Sequence, residues 1–79
     1  MDNKKELDTF CANIRYLRQQ RQLSQKEMAA LLHISVDYVR RLERGEVPPR
    51  MTLEPAIYCF YIFGFSLDVL LYVRLAEIE

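Results

Sequence analysis

A chain of 79 residues, about half of them hydrophobic, suffices for one small core and leaves no room for a second catalytic or ligand-sensing domain. Charged residues make up 28%, and eleven bases against eleven acids give a formal net charge of zero, a composition that excludes intrinsic disorder. Two cysteines, Cys11 and Cys59, and the single His33 show no metal-ligand spacing, so no metal, no cofactor and no disulfide framework is expected.

The first eight residues, MDNKKELD, read as a polar, solvated lead-in with no apolar signal core, which points to a cytoplasmic protein. Residues 9–79 read as a single all-α domain of five helices. Helix one spans about Thr9 to Arg21, with Phe10, Ile14 and Leu17 at the spacing of one buried face and Arg18 at the edge of that face. Helix two opens at Ser24, where Ser24 and Glu27 form a capping box, and it buries Met28, Leu31 and Leu32. Ala29 supplies the small side chain that two closely crossing helices need. This helix ends near His33.

Ser35 caps helix three, Asp37 lies in its first turn where the helix dipole favours an acid, and Gly45 terminates it. At roughly 100° per residue, Val39 and Leu42 fall together on a core face. Val36, Asp37, Arg40, Arg41 and Arg44 fall on the opposite arc. A stripe of three arginines with a valine and an acid near its N-terminal end suits a helix that enters the DNA major groove. There arginine bonds guanine bidentately and valine meets a thymine methyl, while Asp37 either accepts from a cytosine amino group or repels the polyanion. The bland alternative is that Asp37 and Arg41, four residues apart, form an ion pair that solubilises a surface helix.

A loop through Pro48 and Pro49 leads to helix four, which starts near Thr52, tolerates Pro55 in its first turn and stops at Gly64. Ser66 caps helix five, running from about Leu67 toward Glu77. The run AIYCFYIFGFSLDVLLYV from Ala56 to Val73 is too apolar for one helix face. Helix four is either surrounded by the other helices, or covers a partner subunit together with Leu71, Tyr72 and Leu75 of helix five, or crosses a membrane. Gly64, Ser66 and Asp68 in mid-run tell against the membrane. Because a soluble monomer seldom leaves a large apolar patch in water, residues 65–79 are expected to carry a dimer contact made by Leu71, Tyr72 and Leu75.

Zero net charge conceals a gradient. Thr9 to Lys26 carries Arg15, Arg18, Arg21 and Lys26 with no acid, and Met51 to Glu79 sets one arginine against four acids. A polyanion responds to the field of one face and not to the sum.

The segments L-R-x-x-R-x-L-S-Q-x-E-M-A and I-S-x-x-x-V-x-x-L-E-R-G, densest from Leu17 to Gly45, together with F-S-L-D-V-L-L at Phe65 to Leu71, resemble the phage Cro and repressor type of helix-turn-helix domain, the xenobiotic-response-element family. The resemblance implies a compact five-helix bundle in which helices two and three form the helix-turn-helix. It places Val36, Asp37, Arg40 and Arg41 against bases, and Gln25, Lys26, Ser35, Arg44 and Arg50 near phosphates. Arg18 and Glu43 match a pair that commonly forms a partly buried salt bridge. Gln22 and His33 stand where the family often has glycine, at places that need a left-handed backbone.

The function this implies is a sequence-specific regulator, a repressor, binding double-stranded DNA at a near-palindromic site as a homodimer. The alternative is an interaction module that keeps the helix-turn-helix as scaffold and binds another regulator or a toxin-like partner through helices four and five. No nucleophile with a base, paired-carboxylate site or phosphate loop suggests an enzyme.

Overall fold

The computed structural model describes residues 4–46 and 52–78, and these form six helices: α1 Lys4–Gln20, α2 Gln25–Leu32, α3 Val36–Glu43, α4 Glu54–Phe63, α5 Leu67–Tyr72 and α6 Leu75–Ile78. The core gathers one face of each helix. Phe10, Ile14 and Leu17 of α1 meet Met28 and Leu32 of α2, Leu42 of α3, Cys59 of α4, Leu70 of α5 and Leu75 of α6, all essentially fully buried. The α1 helix packs against α3, α5 and α6, and α2 lies between α3 and α4.

Helix termini follow from local chemistry. The Ser24 hydroxyl accepts from the Glu27 N–H while the Glu27 carboxylate accepts from the Ser24 N–H, a reciprocal box that satisfies two otherwise orphaned donors. Ser35 and Ser66 likewise accept from the backbone three residues on. Three ends share the paired 6→1 and 5→2 backbone hydrogen bonds that close a helix around a left-handed residue. After α1 these run from Leu23 to Arg18 and from Gln22 to Gln19. After α2 they run from Ile34 to Ala29 and from His33 to Ala30. After α3 they run from Glu46 to Arg41 and from Gly45 to Leu42. Only the third uses glycine; Gln22 and His33 sit at φ 56° and 59°, with the steric cost that a Cβ brings there. The His33 ring recovers something by stacking on Tyr58 of α4, centroids 4.0 Å apart.

The structure differs from the five-helix expectation in three respects. First, the N-terminal lead-in is largely helical: α1 begins at Lys4, with Glu6 in its first turn and Leu7 half-buried. Second, α4 begins at Glu54, with Pro55 in its first turn and no side-chain cap. Third, the final helix is two helices, broken at Val73, whose backbone is extended.

The cause of that break is Asn13, only 1% exposed on α1. Its amide Nδ2 donates to the carbonyls of Leu70 and Val73 at 2.9 and 2.8 Å, and its Oδ1 accepts from the Leu75 N–H at 3.0 Å. One side chain thus replaces the backbone partners that a continuous helix would have supplied. As a consequence Leu75 turns inward and is completely buried. It is a core residue of its own chain, which corrects its assignment to a dimer surface. Leu71 is half-buried, and Tyr72 is 67% exposed.

Candidate nucleic-acid interface

The helix-turn-helix is α2, the turn His33–Ile34–Ser35, and α3. Val39 and Leu42 anchor α3 with no exposed surface, which fixes the rotation of the helix and turns Asp37, Arg40, Arg41 and Arg44 to solvent, with Val36 half-buried beside them. The sequence-derived stripe is therefore one contiguous outward face.

Its charges are not all free. The Arg41 Nε lies 2.9 Å from the Asp37 carboxylate, both side chains more than half exposed. Arg44 holds Glu46 through Nε and Nη2 at 2.9 and 2.8 Å. Arg40 and, on α1, Arg15 form no ion pair among the described residues. Exposed pairs of this kind contribute little to stability, but each places a carboxylate where a phosphate would otherwise be attracted.

Behind this face lies a brace. Arg18 donates from Nε to Glu43 Oε2 at 2.6 Å and from Nη2 to Glu43 Oε1 at 2.9 Å, and its Nη1 reaches the Leu23 carbonyl at 2.9 Å. The forked geometry makes this a strong, oriented pair. The Arg18 and Glu43 side chains are only 17% and 6% exposed. The hydrogen bond to Glu43 holds the Arg18 guanidinium above even its usual high pKa. Gln25 Nε2 adds a third donor to the Glu43 carboxylate at 3.2 Å. One pair of atoms thereby ties the end of α1, the start of α2 and the last turn of α3 together.

Gln25 is half-buried, and with one amide hydrogen on Glu43 it retains a second for a phosphate oxygen. Ser35 accepts from the Tyr38 N–H and keeps its own hydroxyl proton to donate. Lys26 is exposed. Arg50, and with it most of the proline-containing loop, lies outside the described residues.

Between α1 and α3 runs an open groove of about 300 Å³ lined by Arg15, Arg18, Gln25, Arg40, Glu43 and Arg44. Arg15 is the residue that sequence reasoning did not single out at this site. The signal for it was the acid-free basic stretch of helix one, in which Arg15 precedes Arg18 by three residues, close to one turn.

The thiols take no part in this chemistry. Burial, with Asp8 adding to it, pushes Cys11 up to about 11; burial pushes Cys59 up to about 12. Both are neutral packing groups near pH 7. No described helix is long and apolar enough to cross a membrane.

Comparison with curated proteins and with solved structures returns no match. Comparison with family models returns the helix-turn-helix family over residues 14–53. This match spans half of the chain, from the core residue Ile14 through the brace, both capped helices and the recognition face to the start of α4. That family consists of DNA-binding regulators and is not an enzyme family. The chain belongs to the Cro/C1-type helix-turn-helix family and is a DNA-binding transcription regulator of that type.

Proposed function

We propose that the protein is a sequence-specific repressor that binds a near-palindromic operator as a homodimer, with α3 of each copy in the major groove. The observation that carries this reading is the outward stripe of Val36, Asp37, Arg40 and Arg41 on a helix whose rotation is fixed by Val39, Leu42 and the Arg18–Glu43 brace. Base contacts come from the N-terminal part of such a helix. Val36 meets a thymine methyl, Arg40 and Arg41 reach guanine edges, and Asp37 accepts from a cytosine amino group. Gln25, Lys26, Ser35, Arg44 and Arg50, with Arg15 beside them, hold phosphates and set register. Repression follows from occupancy, because a protein seated across the major groove excludes polymerase from the same segment. The cytoplasm, with the nucleoid in it, is the compartment this reading requires.

The test is a selection of bound duplexes from a random pool at moderate salt, with the double variant Arg40→Ala/Arg41→Ala in parallel. The expected result is a two-fold symmetric site enriched by the native protein alone. Absence of enrichment by folded protein would remove the base-reading role.

A second reading is favoured by a different observation, the apolar outer surface of α4, where Ile57, Phe60 and Tyr61 are 47%, 53% and 75% exposed. In that reading the helix-turn-helix is a scaffold, and α4 with α5 binds another regulator. The two separate on the same double variant: loss of arginines abolishes DNA binding and leaves a contact through α4 intact.

A further inference from the structure

We propose that the outer face of α4 is the seat of a second copy of this chain, packed helix against helix about a two-fold axis. This inference rests on the dimeric reading above and locates its interface away from α5.

The argument starts from the sequence of α4. From Pro55 to Phe63 it contains no charged residue. Its inner face, Ala56, Cys59 and Phe63, is buried in the core. Its outer face reads Leu53, Ile57, Phe60 and Tyr61, at intervals of four, seven and eight residues, the spacing of one helical stripe. These side chains are 65%, 47%, 53% and 75% exposed, and Ile62, roughly 100° further round the helix, is 42% exposed. A surface helix of a globular protein is polar on its solvent side, and a helix apolar all round is covered all round. Among the described residues, five of the eight large exposed hydrophobics lie on or next to this one helix.

The area fits a second copy. At roughly 180 Å² for each whole large side chain, the exposed fractions of the four stripe residues amount to about 430 Å² of apolar surface. A stable interface takes about 800 Å² from each partner, roughly 60% of it apolar, which is about 500 Å². The stripe is also self-complementary. In an antiparallel crossing centred between Ile57 and Phe60, Phe60 of each copy lies over Ile57 of the other, large against smaller. The absence of charge means that two identical faces meet without like-charge repulsion.

The placement is compatible with DNA binding. The α4 helix packs on α2 and α5, whereas α3 packs on α1 and α2, so a copy seated on α4 covers neither Arg40 nor Arg41. The C-terminal segment offers much less: its best side chain, Leu75, is inside the core, and Tyr72 and Ile78 stand apart from the α4 stripe in sequence.

The test is analytical ultracentrifugation of the full chain at micromolar concentration, native and as Tyr61→Glu, Ile57→Lys and Tyr72→Glu. Far-UV circular dichroism and Tm check that each variant is folded. The native protein is expected to be a dimer. Tyr61→Glu and Ile57→Lys are each expected to weaken it by roughly 100-fold, the scale of a central contact residue, while Tyr72→Glu stays dimeric. A native monomer would overturn the proposal, as would a dimer that survives both α4 substitutions or is broken by Tyr72→Glu. Failure here is distinguishable from failure of DNA reading. A monomer that still enriches a half-site in the selection sinks the interface alone. A dimer broken by Tyr61→Glu that enriches no site sinks the operator reading alone.

Discussion

Removing Arg18 tests whether the recognition helix is held by a buried charge. In Arg18→Ala, Glu43 keeps a side chain only 6% exposed and loses both guanidinium hydrogen bonds, leaving Gln25 at 3.2 Å as its remaining partner. The Leu23 carbonyl also loses its donor. Breaking a buried pair from one side costs about 3–5 kcal/mol, because the surviving carboxylate pays the desolvation without the compensation. A chain of 79 residues has a total stability of roughly 4–12 kcal/mol, so the variant is expected to lose between a quarter and all of it. At about 4–8 °C per kcal/mol for a domain of this size, Tm falls by roughly 12–40 °C. Urea unfolding followed by circular dichroism measures the loss directly. The double variant Arg18→Met/Glu43→Met provides the control, since an apolar pair of similar volume leaves no charge uncompensated and is expected to recover most of the stability. A cost for Arg18→Ala below about 1 kcal/mol, the range of an exposed pair, would refute the reasoning. So would a double variant no more stable than the single one.

Other predictions probe different parts of the molecule. Asp37→Asn releases Arg41 from its 2.9 Å partner and is expected to strengthen binding to unrelated duplex DNA, steepening the salt dependence by about 0.9 in log–log slope for each phosphate gained. Anisotropy titrations at several salt concentrations measure this, and an unchanged slope would place Arg41 away from the backbone. Gln22→Gly relieves an exposed left-handed residue and is expected to raise stability by about 0.5–1 kcal/mol. His33→Gly should gain less, because it gives up the ring stack on Tyr58; equal gains in thermal unfolding would show that the stack contributes nothing. In alkali, the thiols of Cys11 and Cys59 stay protonated in the folded chain up to about 11 and 12, against 9.0 unfolded. The unfolded chain then gives up its protons first, so stability is fully present below pH 9.0 and is lost as pH rises through the folded values, at up to about 1.4 kcal/mol per pH unit and thiol. Comparing the native protein with Cys11→Ala/Cys59→Ala in urea melts at alkaline pH isolates that contribution.

What the sequence made legible was what short-range chemistry determines. The Ser24–Glu27 box, the caps at Ser35 and Ser66 and the ends at Gly45 and Gly64 involve residues within a few positions of one another, whereas the left-handed backbone at Gln22 and His33 was legible only through the family resemblance, which often has glycine at both places. The orientation of α3 was legible from short-range spacing too, since a core face through Val39 and Leu42 leaves the arginines together on the opposite arc. The break at Val73 was not, because its cause, Asn13, lies 57 to 62 residues away and reads in sequence as a polar interruption of helix one. The inward turn of Leu75 follows from that break and was lost with it. The open face of α4 was hidden by its own composition: a continuous apolar run carries no periodicity, so which half of it faces water depends on where α2 and α5 pack. The partial neutralisation of the recognition face by Asp37 and Glu46 was legible for the first acid, four residues before Arg41. It was missed for the second, which reaches back across the α3 terminus to Arg44.

Asn13 also has a consequence for how the protein is lost. Its three hydrogen bonds fasten the first helix to the last stretch of chain, two of them buried and the one to Val73 part-buried. A protease that nicks the exposed side of α5 or α6 therefore does more than trim a tail. Once that segment peels off, the Asn13 amide loses its protein partners and the apolar face of α1 that Leu70 and Leu75 had covered is exposed to water, and both changes lie directly on α1, the helix that carries Arg18. Local opening at one end thus propagates to the base of the recognition helix. A clipped molecule lacks the competence to hold α3 in place, so that limited cleavage at a site remote from DNA would switch the regulator off rather than leave a shortened, active fragment.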